Sequence, residues 1–334
     1  MNSSLKTLVS ISKLLPLLLL LGGALTLSRA QPEPLNTVVT IGMIGDVVEN
    51  VGGPCVSVSA LMGPGVDPHL YQASASDVRT LQRSDAIFYA GYLLEGQLSE
   101  VLERFGERTP TLAVSPAAAP PETLVAVAPD DASYTIDPHL WMDASLWAQT
   151  VTPVAEQLAE LLPDCRDTIA SRAAIYRAEL AALHDWAAAS TATIPESQRV
   201  LVTAHDAFTY YGRAYGIEVA GIQGISTASE ASLADIRSTV DLIVTREVPA
   251  IFVETSINPR TIDAVRAAAR DRGFEVVIGG SLYSDAMGTQ GTADGTYIGM
   301  IRSNTLAITD ALGGTAAPWP EALAGWAERW NIIP

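Results

Sequence analysis

The tetrapeptide Asp-Pro-His-Leu occurs twice in a chain that contains only four histidines. One copy carries His69 and the other carries His139, and both lie in loops at or beyond the ends of predicted strands. Proline fixes its own φ angle and pushes the residue before it toward an extended conformation, so the backbone entering each histidine is stiffened. A metal site needs ligands that are held in place in this way. The repeat therefore predicts two metal ligands.

Two further candidate ligands follow strands in the second half of the chain. His205 ends the strand predicted at residues 200–204, and Asp285 follows the strand predicted at residues 276–278. In open parallel sheets, ligands bind at the edge where the strands end. With two ligands from each half of the chain, the metal ion would lie between two lobes.

One further histidine and one further carboxylate need a separate interpretation. His184 lies inside a predicted helix, and we interpret it as a histidine that does not bind the metal. Glu254 also ends a predicted strand, so it would either support a ligating histidine from behind or act as an alternative ligand. Because the chain has only two cysteines, a structural zinc ribbon is excluded, and the metal ligands must be histidines and carboxylates.

The elements that position these residues follow a regular order. Short β-branched runs alternate with longer helical patterns, which is typical of βαβ units with parallel strands. The pattern predicts an α/β protein of two lobes, each a four-stranded parallel sheet flanked by helices. The predicted strands are residues 38–44, 56–62, 86–90 and 112–114 in the first half, and 200–204, 217–222, 250–253 and 276–278 in the second.

A helical connector joins the two predicted lobes. Residues 145–162 are predicted as one helix that ends before Pro163, and a second helix follows. At a rise of about 1.5 Å per residue, about 25 helical residues span about 37 Å, enough to run from one lobe to the next. The predicted division is an N-terminal lobe at 36–163, a long linker helix at 164–190 and a C-terminal lobe at 195–334, with an Ala- and Pro-rich surface loop at 115–131.

The first 30 residues have the layout of a cleaved secretory signal. Lys6 and Lys13 form a positive region, an apolar run follows at residues 14–21, and small residues precede a cut after Ala30. The apolar run is shorter than the about 20 residues that a membrane span requires. The segment therefore predicts export to a periplasm, and because no cysteine lies near the cut we expect no lipid anchor.

Charge and composition exclude several classes of protein. The chain has 37 acidic and 20 basic residues, a net charge of −17. Nucleic-acid binding requires a basic face, so we expect no nucleic-acid partner. Hydrophobic residues make up 48% of the chain, which excludes a disordered protein. We expect a folded monomer.

Export would place Cys55 and Cys165 in a compartment where disulfides persist. Cys55 precedes the strand that leads to His69, and Cys165 follows the helix that leads away from His139. Both cysteines are therefore expected at the end of the first lobe that is far from the metal. A disulfide requires Cα atoms within about 7 Å, and helices on opposite faces of the sheet would hold them farther apart. The pattern leaves open whether the two cysteines pair.

Several spaced motifs resemble the TroA-type metal-binding proteins, which are the cluster A-I (cluster 9) solute-binding proteins of ABC transporters. The resemblance covers essentially residues 38–312 and implies two α/β lobes on a long backbone helix. It also implies zinc or manganese in the cleft, held by His69, His139, His205 and Asp285, and delivery to a membrane permease with a cytoplasmic ATPase. Besides the two Asp-Pro-His-Leu copies, the motifs are LVTAHDAF at 201–208, GIQGIST at 221–227, FVETS at 252–256 and LYSDAMG at 282–288.

Two features bear on the identity of the metal. Zinc-uptake members of this group often carry a His-rich loop before the second ligand, but residues 115–137 contain no histidine, which puts that accessory function in doubt. Three imidazoles with one carboxylate form a nitrogen-rich ligand set, and such sets favour zinc over manganese. The TroA type is nevertheless associated with both ions.

Two functions of different classes fit these residues. A periplasmic receptor would capture Zn²⁺ or Mn²⁺ with all its ligands, without catalysis. A secreted zinc-dependent hydrolase would keep three protein ligands, an open coordination position and a general base nearby. Glu254 is the candidate base, and no His-Glu-x-x-His motif occurs, which favours the receptor. A role as a metal-dependent surface adhesin is compatible with the receptor.

Overall fold

The structure is a computed structural model that describes residues 33–127 and 135–332. The segment predicted as a signal lies outside the described residues, as does part of the predicted loop at 115–131. Within the described ranges, none of the helices is long and apolar enough to cross a membrane. The described residues belong to one unit that begins at Glu33.

The first lobe is built on the predicted four-stranded parallel sheet, and its strand order is β2-β1-β3-β4. The inner strands are covered on both faces, and Val38 and Phe88 at their centres are at most 1% exposed. The strands are β1 Leu35–Val39, β2 Val56–Ala60, β3 Ala86–Tyr89 and β4 Thr111–Ala113. The helices are α1 Gly42–Gly52, α2 Ala75–Gln82, α3 Leu98–Phe105 and α4 Val114–Ala118.

The strand predicted at 38–44 is wrong beyond Val39, because α1 begins at Gly42. The apolar run continues from the strand into the helix, where Met43 and Ile44 are fully buried. A short apolar run does not by itself distinguish a buried strand from a buried helix. The earlier helix start shortens β1 and brings α1 close to the edge of the sheet where the candidate ligands lie.

The connector consists of three helices, α5 Ala144–Trp147, α6 Val151–Leu161 and α7 Arg166–Thr191. The single helix predicted at 145–162 is interrupted by a 3₁₀ turn at Ala148–Thr150. Pro153 has no N–H to donate to the carbonyl four residues earlier, which falls in this turn. The 26 residues of α7 bury a stripe that includes Tyr176 and Leu180, and the helix packs against α1 and α6.

The second lobe contains four parallel strands in two hydrogen-bonded pairs, β5 with β6 and β7 with β8. β5 lies beside β7, but the ladder expected between them is interrupted. At the end of β5, the side chain of Glu254 accepts the amide of His205 in place of a backbone carbonyl. The strands are β5 Val200–His205, β6 Glu218–Gln223, β7 Ala250–Glu254 and β8 Val277–Leu282.

Five helices complete the second half of the chain. The last two lie beyond the final predicted strand, and the first of these, α11 (Tyr297–Ala311), packs against both α7 and β8. Because α7 contacts α1 of the first lobe as well, it forms the common support of both lobes. The helices are α8 Thr209–Tyr215, α9 Leu233–Arg246, α10 Arg260–Asp271, α11 Tyr297–Ala311 and α12 Ala324–Arg329.

Cys55 and Cys165 form a disulfide, with their Cα atoms 6.5 Å apart. Cys55 immediately precedes β2, and Cys165 immediately precedes α7. The bond therefore joins the amino end of an edge strand to the base of the long helix. The guanidinium of Arg172 strengthens the same junction by donating to the backbone carbonyl of Asn50 in α1 at 2.7 Å.

Candidate metal centre

The four candidate ligands come from loops and strand ends at the carboxyl edges of the two lobes. His205 is the last residue of β5, and Asp285 follows the end of β8 by three residues. His69 lies in the loop after β2, and His139 lies just before α5. The structure brings these four side chains together, with one ligand atom of each lying within 4.8 Å of all the others.

The distances between the ligand atoms suit a small cation. Nε2 of His69 lies 3.3 Å from Nε2 of His139. Oδ1 of Asp285 lies 3.4 Å from Nε2 of His139, and Oδ2 lies 3.2 Å from Nε2 of His205 and 3.9 Å from Nε2 of His69. Ligands bound tetrahedrally at 2.0–2.1 Å from one ion are about 3.4 Å apart. Three of the four separations are close to this value.

The same atoms are buried without conventional partners. His139 and His205 are 0% exposed and Asp285 is 1% exposed. Nε2 of His205 and both carboxylate oxygens of Asp285 make no hydrogen bond of acceptable geometry in the described part of the chain. Buried polar atoms are almost always satisfied in folded proteins. A cation among these atoms would satisfy them.

The Asp of each Asp-Pro-His-Leu copy holds the histidine that follows it. Oδ1 of Asp67 accepts the backbone N–H of His69 at 2.9 Å, and Oδ1 of Asp137 accepts that of His139 at 2.9 Å. Asp137 also lies 2.7 Å from Nδ1 of His139. The motif therefore stiffens the backbone through Asp as well as Pro. The sequence pattern contained this signal, because the Asp recurs at the same spacing in both copies.

Glu254 occupies the position behind His205. Its Oε1 accepts the backbone N–H of His205 at 2.9 Å, and its Oε2 lies 2.6 Å from Nδ1 of the same residue. A carboxylate at Nδ1 holds a proton on that nitrogen, so that in the neutral imidazole Nε2 is the bare nitrogen and is directed into the site. Of the two positions considered for Glu254, the structure places it behind the imidazole, whereas Asp285 faces the opposite ring nitrogen.

Burial and charge act in opposite directions on the first two histidines. Burial lowers the pKa of His69 to about 3, because the charge of Asp285 offsets it only in part. Burial also opposes the charged form of His139, but the charge and hydrogen bond of Asp137 outweigh it and raise the pKa of His139 to about 9. His69 is therefore ready to bind a cation at neutral pH, whereas His139 has to release a proton.

His205 and Asp285 form an oppositely charged pair. Burial opposes the charged form of His205, but the charges of Glu254 and Asp285 outweigh it and raise the pKa of the imidazole well above its usual range. Burial likewise opposes the Asp285 carboxylate, but the charge of His205 and the neighbouring His139 hold its pKa well below the usual range. In the metal-free protein a protonated imidazole thus compensates the buried carboxylate, and a bound metal ion would replace that proton.

His184 lies apart from this cluster and inside a helix, as its position in the sequence indicates. Its Nδ1 is 3.6 Å from a carboxylate oxygen of Asp143, and its ring packs against Tyr215 with 5.4 Å between the centroids. Because Asp143 is the N-cap of α5, this histidine belongs to the packing between α5 and α7.

Aromatic side chains connect the two lobes beside the ligands, and the sequence pattern did not reveal them. Nε1 of Trp141 donates to the carbonyl of Ser284 at 2.8 Å, which joins the segment of His139 to that of Asp285. The hydroxyl of Tyr210 donates to the carbonyl of Asp137 at 2.9 Å. The signal in the sequence was that aromatic residues occur within a few positions of the candidate ligands His139 and His205.

Two α/β lobes on a shared helix, with three imidazoles and a carboxylate converging between them, define a two-lobed binding protein whose interior site is suited to a metal ion. The family described as zinc-uptake complex component A, periplasmic (ZnuA), matches residues 37–311. The chain belongs to this family.

Individual relatives resemble the chain over most of its length. The manganese-binding lipoprotein MntA of Bacillus subtilis is 43% identical over 284 residues, which are 85% of this chain and 92% of that protein. The zinc-binding protein TroA of Treponema pallidum is 44% identical over 285 residues, which are 85% of this chain and 91% of that protein. A solved structure of the periplasmic zinc-binding protein TroA from Treponema pallidum superposes with a TM-score of 0.80 at 43% identity, covering 84% of this chain and 99% of that one.

Proposed function

We propose that this protein captures a divalent metal ion, Zn²⁺ or Mn²⁺, between its lobes and delivers it to a membrane permease coupled to a cytoplasmic ATPase. The observation that carries the proposal is the convergence of His69, His139, His205 and Asp285 at distances that suit one cation. Family membership supports the same function, because the family is described as a component of a zinc-uptake complex.

The ligand set favours zinc within this pair of ions. Three neutral imidazoles and one carboxylate leave a divalent ion with a net charge near +1, and nitrogen-rich sets bind Zn²⁺ more strongly than Mn²⁺. The two oxygens of Asp285 face different histidines, so the carboxylate can supply one or both of them. A second oxygen would suit an ion that accepts more than four ligands. The relatives carry both metals in their names, a zinc-binding protein and a manganese-binding lipoprotein.

The function is binding and delivery, with no catalytic step. A hydrolase would need a free general base beside the metal. Glu254, the residue considered for that role, has both oxygens engaged by His205. The ion is therefore cargo.

The protein is proposed to act in the periplasm. The family description supports this location, and a disulfide between Cys55 and Cys165 suits an oxidising compartment. The secretory signal predicted at residues 1–30 would provide the route of export.

A calorimetric titration with Zn²⁺ and Mn²⁺ tests the proposal. Metal-free protein is expected to bind one ion of either kind, with the tighter binding for Zn²⁺, and Zn²⁺ should displace Mn²⁺ in competition. His184→Ala is the matched control, because this histidine lies outside the cluster. Absence of binding to the wild type would contradict the proposal, as would equal loss of binding in the control.

A further inference from the structure

One hydrogen bond crosses between the lobes at the edge of the metal site. The hydroxyl of Thr227 donates to Oδ2 of Asp67, with 2.6 Å between the oxygens. Asp67 lies two residues before His69 in the first lobe, whereas Thr227 lies in the loop that joins β6 to α9 in the second. Thr227 is buried and Asp67 is partly exposed, so the bond lies at the boundary between the site and solvent.

The same carboxylate also positions the metal ligand. While Oδ2 of Asp67 accepts Thr227, its Oδ1 accepts the backbone N–H of His69. Pro68, the residue between them, is buried and has a restricted φ angle. A displacement of Thr227 is therefore transmitted through one carboxylate and a short, stiff stretch of backbone to His69.

The second Asp-Pro-His-Leu copy has no corresponding side-chain connection. Oδ1 of Asp137 is directed to His139, and its Oδ2 is buried without a hydrogen-bond partner among the described residues. Its backbone carbonyl accepts the hydroxyl of Tyr210 from the other lobe, but this contact is fully buried. The Thr227 contact lies instead at the edge of the cleft, next to solvent.

The loop that carries Thr227 is fixed by contacts near its start and is exposed to solvent after Thr227. Residues 224–231 form neither helix nor strand. Ile225 is buried, and the side-chain amide of Gln223 donates to the carbonyl of Ser229 at 3.1 Å. The three residues after Thr227 are exposed. The loop can therefore move without unfolding β6 or α9.

The neighbouring segment of the first lobe approaches the second lobe closely. Gly65 has a φ of +71°, and a Cβ atom at this position would lie 3.5 Å from the carbonyl oxygen of Thr255. Thr255 follows Glu254, the residue behind His205. The segment before His69 is thus fitted against the second lobe at two places, and the bond to Thr227 is the polar one.

We propose that Thr227 is a positioning residue. Its hydrogen bond to Asp67 helps to retain the metal ion held by His69, and this bond has to break each time the ion leaves. This inference rests on the proposed function and concerns the rate of metal release. A hydrogen bond to a charged acceptor is stronger than one between neutral groups. Its loss is expected to accelerate metal release by about tenfold or more.

The rate of Zn²⁺ release into excess chelator measures how strongly the contact between Thr227 and Asp67 retains the ion. Thr227→Val keeps the branched shape and removes the hydroxyl, whereas Thr227→Ser keeps the hydroxyl. Ser226→Ala is the control in the same loop, because the Ser226 hydroxyl accepts a local bond from the amide of Ala228. We expect release about tenfold faster from Thr227→Val. Release from the other two variants should match the wild type.

Hydrogen exchange of the metal-free protein gives a second readout. Backbone amides of residues 224–231 should exchange faster in Thr227→Val than in the wild type and Thr227→Ser. Equal release rates in the wild type and Thr227→Val, or equal acceleration in both Thr227 variants, would overturn the proposed role of the Thr227 hydroxyl. A wild type that binds no Zn²⁺ would instead contradict the proposed function. The hydrogen-exchange rates would still test whether the Thr227 hydroxyl holds the loop against Asp67.

Discussion

The two most buried imidazoles of the site each have a carboxylate behind them. Asp137 contacts Nδ1 of His139 at 2.7 Å, and Glu254 contacts Nδ1 of His205 at 2.6 Å. A carboxylate in this position fixes the tautomer and raises the basicity of Nε2, the nitrogen that would bind the ion. We therefore expect the metal affinity of the candidate site to depend also on residues that would not contact the metal.

Asp137→Asn should weaken Zn²⁺ binding by about 10–100-fold, the range typical of outer partners of metal ligands. The amide keeps an acceptor for the backbone N–H of His139 but removes the negative charge behind the ring. Calorimetric titration measures the change, with Asp310→Asn as the control because this carboxylate is exposed on α11. Wild-type affinity in Asp137→Asn would show that the charge has no such effect.

His205→Ala should weaken Zn²⁺ binding more severely, by about 100-fold or more, because it removes a ligand and not an outer partner. The side chain is fully buried and holds Glu254, so some loss of thermal stability is expected as well. Circular dichroism distinguishes a folded variant that lacks affinity from an unfolded one. Retention of wild-type affinity would remove His205 from the site.

Zn²⁺ affinity should rise with pH from about 5 to about 9. Imidazoles ligate only when neutral, and in the metal-free protein the pKa of His139 is raised to about 9 by Asp137. Below this pKa the ion has to displace a proton, so affinity falls as pH falls, while His69, with a pKa lowered to about 3, stays neutral across the range. Titrations in buffers of different ionisation enthalpy should detect proton release. A pH-independent affinity with no proton release would contradict the account.

At the scale of elements, the features of the fold that depend on residues close together in the sequence could be predicted. The strand that ends at His205 and the stiffened loop before His69 follow from local patterns. The contact between Glu254 and His205 joins residues 49 positions apart, and the bond from Trp141 to the second lobe spans 143 positions. Which side chains meet over such separations depends on how the elements pack, and local patterns do not determine this.

The same distinction applies to the helices. The start of α1 could not be predicted, because the buried apolar run crosses the boundary between β1 and α1. The topology placed Cys55 and Cys165 at the same end of the first lobe but could not give their lateral separation. That separation depends on the packing of α7 against α1, where the hydroxyl of Tyr176 donates to the carboxylate of Asp46.

Replacing both cysteines by alanine should destabilise the protein without weakening metal binding. The bond closes a segment of 110 residues, and the chain-entropy model gives a contribution of up to about 4–5 kcal/mol for loops of this size. Cys55 lies at the amino end of β2, whereas the candidate metal ligands lie at carboxyl edges, so Zn²⁺ affinity should be unchanged. Urea denaturation and calorimetry measure the two quantities. An unchanged unfolding free energy would contradict the stabilising role, and weaker Zn²⁺ binding would contradict the separation from the site.

At the scale of the whole molecule, buried contacts next to the candidate metal site join the two lobes. The indole of Trp141 donates to Ser284, and its backbone carbonyl accepts the hydroxyl of Tyr297 at 2.6 Å. These groups are buried, and the long helix α7 supports elements of both lobes. Such an arrangement favours a small tilt of the lobes during metal exchange. The contact of Thr227 with Asp67 lies at the cleft edge, and we expect such a tilt to break it.

The metal content of the protein purified from its native compartment tests the central claim most directly. Elemental analysis of the wild type should find one Zn²⁺ or Mn²⁺ per chain, while Asp285→Ala, which lacks the only carboxylate of the four-residue cluster, should retain little or none. His184→Ala should carry the same metal as the wild type. A wild type without bound metal, or an Asp285→Ala protein with the full metal content, would contradict the assignment of this cluster as the site that captures the ion.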